Sequence, residues 1–164
     1  KALTRNYEHT RIYKTIKSVL DAREIKEDKA KVDEIRAKVS EFDGKVQKAI
    51  DDNRDEIYDF LKEEFKERVV HLSDSERKGR DYDFKINDNF GFDCGFINIM
   101  TTDKEYTENR TLLRQLDSCV SPWMTIHLPY FSQSTTLNKI QFGKAKEIVQ
   151  RETGIELYAH TVLD

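Results

Sequence analysis

The chain has 164 residues, 36% charged and 37% hydrophobic, with only 2 Pro, 6 Gly and 2 Cys, which excludes a disordered chain and a disulfide-stapled miniprotein. A formal net charge of −3 gives no global attraction to nucleic acid or anionic lipid. No run approaches the roughly 18 apolar residues of a membrane span, and the opening residues lack the apolar stretch of a secretory signal, so a cytoplasmic protein with no membrane partner is expected.

Tyr13, Ile16, Val19 and Leu20 predict a first helix near residues 6–22. From residue 26 to residue 72 the positions Val32, Ile35, Val39, Phe42, Val46, Ile50, Ile57, Leu61, Phe65 and Val69 advance by three or four at nearly every step, which predicts a long amphipathic helix. Unbroken, about 45 residues would form a rod of roughly 70 Å. Either the rod projects to meet a partner helix, or it kinks or breaks at Asp43-Gly44, where glycine costs about 1 kcal/mol relative to alanine. The drift of the stripe away from a strict seven-residue repeat after Val46 favours packing against the chain's own sheet over a coiled coil.

Asp51, Asp52, Asp55, Asp59 and Glu63 form an acidic strip on this helix, a candidate surface for a basic partner, although Arg54, Lys62 and Lys66 interrupt it. Lys26, Lys29, Lys31, Arg36 and Lys38 alternate with acids, the pattern of helix-surface pairing rather than of a nucleic-acid footprint.

Residues 73–81 read as a polar connector between the helical segment 1–72 and a second part, 82–164. There Tyr82, Phe84 and Ile86 alternate with polar residues, Asn87-Asp88-Asn89 and Gly91 form a turn, and residues 92–100 complete a predicted β-hairpin. Thr102 to Glu105 fits a capping box opening a helix with Leu112, Leu113 and Leu116. Trp123 to Tyr130 puts apolar groups on both faces, as a central strand does. Ser132 to Thr136 supplies caps for a helix through Ile148 and Val149, Gly154 is its stop, and residues 155–163 form the last strand. The predicted fold class is therefore α+β: N-terminal helices including one long amphipathic helix, then a four-stranded mixed sheet built ββαβαβ, with its last three strands parallel.

Function is less legible. Cys119 with Asp117 and His127 has the residue types of a thiol nucleophile and base, and Cys94, Cys119, His127 and His160 have those of a zinc site, but neither set has a supporting motif. His71-Leu72-Ser73 resembles one half of the two-histidine phosphoesterase signature. The second half is missing, so no role is carried over. The leading expectation is a non-enzymatic interaction module, accessory, inhibitory or regulatory, acting through a helical surface on a protein partner or a second copy, with no cofactor or metal. An alternative places a nucleotide or other small anion at the loops after Met100 and Tyr130, on Thr101, Thr102, Asp103, Tyr130, Ser132 and Ser134, because helix N-termini favour anions. Nucleic-acid association is a further, weaker alternative.

Overall fold

A computed structural model describes residues 17, 19–21, 25, 28–87 and 94–163. The predicted helix near residues 6–22 falls largely outside these, as does most of the predicted turn at 87–91. The chain divides into two compact units, Lys1–Gly44 with Thr102–Met124, and Lys45–Thr101 with Thr125–Asp164.

Helix α1 (Lys29–Asp52) runs through Gly44 without a break and supplies side chains to both units. Its stripe is core in each: Ile35 and Val39 are buried in the first unit, Val46, Ala49 and Ile50 in the second. The helix ends nine residues later than Gly44, at Asn53. There the side-chain amide donates to the Ala49 carbonyl at 2.9 Å, and such local competition for backbone groups ends helices. Helix α2 (Arg54–Glu64) then restarts the apolar period with Ile57, Tyr58 and Leu61 buried. A 3₁₀ turn, Lys66–Arg68, follows, and β-branched Val69 and Val70 open strand β1 (Val69–His71), where the long helix was expected to continue.

In the first unit, helix α3 (Lys104–Leu116) is capped by Asp103, whose carboxylate accepts from the Tyr106 backbone N–H at 2.8 Å, so the cap lies one residue beyond the predicted Thr102. Glu105 instead reaches Lys38 at 3.5 Å. Beneath this helix lies a buried network. Arg110 donates to Asp43 at 2.9 Å, Tyr106 donates to the other Asp43 oxygen at 2.8 Å, and Arg110 also bonds Tyr106 at 2.9 Å. The same guanidinium donates to the carbonyls of Ser121 and Trp123, holding the loop after α3. Burial, and then the Asp43 carboxylate that accepts its proton, push the Tyr106 hydroxyl above the ordinary tyrosine range.

Among its described residues the second unit contains two separate two-stranded sheets rather than one of four strands. Strand β1 pairs antiparallel with β2 (Phe84–Ile86), His71 opposite Phe84. Strand β3 (Gly95–Thr101) pairs antiparallel with β4 (Leu157–Leu163) from Gly95 opposite Leu163 to Thr101 opposite Leu157. The predicted hairpin between β2 and the following strand is thus replaced by two other pairings, and the last strand is antiparallel to its neighbour. Helix α4 (Thr135–Thr153) packs on β3 and β4 and on α2. It starts at Ser134, whose hydroxyl accepts from Leu137 N–H, and stops at Gly154, left-handed at φ 73°, as the sequence predicts.

Residues 123–130 form no strand. Two glutamine side chains stand in for a neighbouring strand. Gln141 of α4 accepts from Tyr130 N–H at 2.8 Å and donates to its carbonyl at 2.9 Å. Gln47 of α1 treats His127 likewise, at 2.7 and 3.1 Å. A primary amide matches a backbone donor–acceptor pair, so the backbone groups of His127 and Tyr130 are satisfied without a ladder.

Candidate functional site

The acidic face of α2 and the residues leading into β2 meet in a cleft of about 320 Å³ in the second unit. Helical spacing places Asp55, Tyr58, Asp59 and Lys62 on one side of α2. Extended backbone brings Asp81, Tyr82, Asp83 and Phe84 opposite them, with Tyr82 and Phe84 turned inward and buried. The back of the cleft is aromatic. The Tyr58 and Tyr82 centroids lie 5.6 Å apart, Tyr58 and Phe84 5.9 Å, and Phe84 stacks on Tyr130 at 5.2 Å.

Tyr58 donates its hydroxyl proton to Asp81 at 2.8 Å, with the Pro129 carbonyl oxygen 3.3 Å away. Burial first, and the Asp81 carboxylate second, raise the Tyr58 hydroxyl above the ordinary tyrosine range, so it stays a neutral donor. Asp81 also pairs with Arg54 at 2.7 Å, and Asp59 with Lys62 at 3.4 Å. Among the described residues Asp55 and Asp83 form no ion pair within 4.0 Å. Arg54 offsets Asp81 and Lys62 offsets Asp59, so Asp55 and Asp83 carry the excess negative charge of the cleft over its aromatic floor, a lining suited to an organic cation through both charge and the ring quadrupole.

Of the acidic strip, only Asp55 and Asp59 enter this cleft. Asp51 accepts from Gln47 at 2.9 Å, Asp52 pairs with Lys48 at 2.6 Å and Glu63 with Lys66 at 3.8 Å. The residues that complete the cleft, Asp81 to Phe84, fall at the junction of the expected connector and strand, where alternating acid and aromatic residues are the signal visible in the sequence. The apolar stripe of α1 is buried rather than offered to a partner.

Most of the residues suggested for an anion also hold places in the fold. Thr101 is buried in β3, and Asp103 and Ser134 are helix caps. Ser132 Oγ accepts from Ser134 N–H at 3.0 Å, and the Tyr130 hydroxyl accepts from Ile86 N–H at 2.9 Å. Thr102 is exposed. Thr102 and Asp103 belong to the first unit, the other four to the second. Both cysteines are free and exposed, and Asp117 accepts from Cys119 N–H in a local turn. Among the described residues no group of three or more His, Cys, Asp or Glu is placed to hold a metal ion, and no helix is long and apolar enough to cross a membrane.

Comparison with protein-family models, with curated proteins and with solved structures finds no match.

Proposed function

We propose that the protein is a non-enzymatic interaction module that receives a basic side chain of a protein partner in the cleft between α2 and β2. The observation that carries this reading is the lining itself. Asp55 and Asp83 stand without an ion pair among the described residues, beside Tyr58, Tyr82 and Phe84. Carboxylates attract and orient a lysine or arginine, and an aromatic floor accommodates its alkyl stem and cationic head. The acidic surface read from the sequence is thereby narrowed from a helix strip to a two-sided site.

The test is an amide chemical-shift titration of the protein with an octalysine peptide at low ionic strength. Shifts concentrated at residues 55–62 and 81–84 support the reading. Shifts spread over all acidic surfaces, or no binding, defeat it.

A further inference from the structure

Lys62 lies inside the cleft whose lining favours cations. Its ammonium stands 3.4 Å from Asp59 and 5.3 Å from the centroid of Phe84. Phe84 lines the cleft and yet has 0% of its surface exposed. Its ring is therefore fully covered, and the Lys62 head is one of the groups over it. A second cation of the chain, Arg80, stands 5.7 Å from the centroid of Tyr82, the neighbouring ring of the floor. The protein thus already places its own cations against the two rings that a basic partner would use. Arg80 lies outside the cleft lining, so the contact that bears on the cleft is that of Lys62, which reaches the Phe84 ring while bridged to Asp59.

We infer that Lys62 is an internal competitor for the cleft: its ammonium occupies the place of the partner's cation and must swing away before a basic side chain enters. This rests on the proposed reception of a basic partner. Lys62 is suited to such exchange. Its side chain keeps 41% exposure, and its single bridge to Asp59, itself 78% exposed, is of the kind that contributes little. A long flexible lysine leaves such a contact without disturbing the backbone. The consequence is a modest one: Lys62 weakens the entry of every basic side chain by the small cost of displacing its own ammonium.

The test compares octalysine affinity for the wild type, Lys62→Met and Lys66→Met. Both variants remove one positive charge, but Lys66 is outside the cleft lining and pairs with Glu63. Methionine keeps the length that covers Phe84 and removes the ammonium. The expected result is tighter binding by Lys62→Met, on the order of threefold or more beyond the gain of Lys66→Met, which reports long-range charge alone. Equal gains in the two variants, with the wild type still binding at the cleft, overturn the competition and leave the cleft reading intact. Weaker binding by Lys62→Met makes Lys62 part of the recognition surface and overturns it as well. Absence of octalysine binding in all three defeats the cleft reading and the competition together. Should Lys62→Met fail to fold, Lys62→Gln carries the same comparison.

Discussion

At the scale of single residues, the side-chain amide of Gln141 and the carboxylate of Glu56 stabilise the second unit by different physics. Gln141 is fully buried and both its bonds to Tyr130 are buried. Replacing it with leucine leaves a backbone donor and acceptor without partners, an expected loss of about 2–4 kcal/mol in urea unfolding. Gln47→Leu, at the exposed His127 clamp, is expected to cost about 1 kcal/mol or less, because water replaces the lost bonds. Glu56 bonds Arg151 and Lys144 of α4, and these cations, Arg151 first, hold its carboxyl at about 2, below the ordinary 4.5. A depressed folded-state pKa makes the contribution complete above 4.5 and erodes it as pH falls through about 2. With 38% of the side chain exposed, that contribution is held to about 1 kcal/mol or less by solvent screening. The stability gap between wild type and Glu56→Gln, from urea midpoints, is therefore expected to close on acidification; a gap that widens contradicts the assignment.

At the scale of elements, the long helix shows what periodicity tells and what it leaves out. Ile35, Val39, Val46, Ile50, Ile57 and Leu61 of the stripe are core and Phe42 is half-buried, as the three- and four-residue steps imply. The break came at Asn53 rather than Gly44 because a glycine only weakens a helix, whereas an asparagine side chain offers the backbone another partner. Nothing lies within 4 Å of a methyl group added at Gly44, so Gly44→Ala is expected to stabilise by about 0.5–1 kcal/mol in thermal or urea unfolding. Asp43, its neighbour, is a different case. Removing its carboxylate in Asp43→Ala strands the buried Arg110, with an expected loss of about 3–5 kcal/mol. Helix α4 and its Gly154 stop were legible because capping is local chemistry. The sheet pairing was not, since alternation identifies a strand but not its neighbour, and residues 123–130 have strand composition while Gln47 and Gln141 serve as their pairing partners.

At the scale of the whole molecule, a net charge of −3 says little because sign is distributed locally. The acidic residues of α2 were visible in sequence, but the cleft needed the residues from Asp81 to Phe84, more than twenty positions along the chain, to meet them. The other acids of the strip are held in local pairs with Lys48, Gln47 and Lys66. Charge placement, rather than total charge, is therefore what should govern recognition of a basic partner. The decisive measurement is the dissociation constant for octalysine of the wild type, of Asp55→Asn with Asp83→Asn, and of Glu64→Gln with Glu67→Gln, which removes the same charge outside the cleft lining. A cleft that receives the cation requires a loss of roughly tenfold or more in the aspartate pair, about 1.4 kcal/mol, and a much smaller loss in the glutamate pair. Equal losses in the two pairs would mean that octalysine responds only to overall charge, and would contradict the cleft as its binding site.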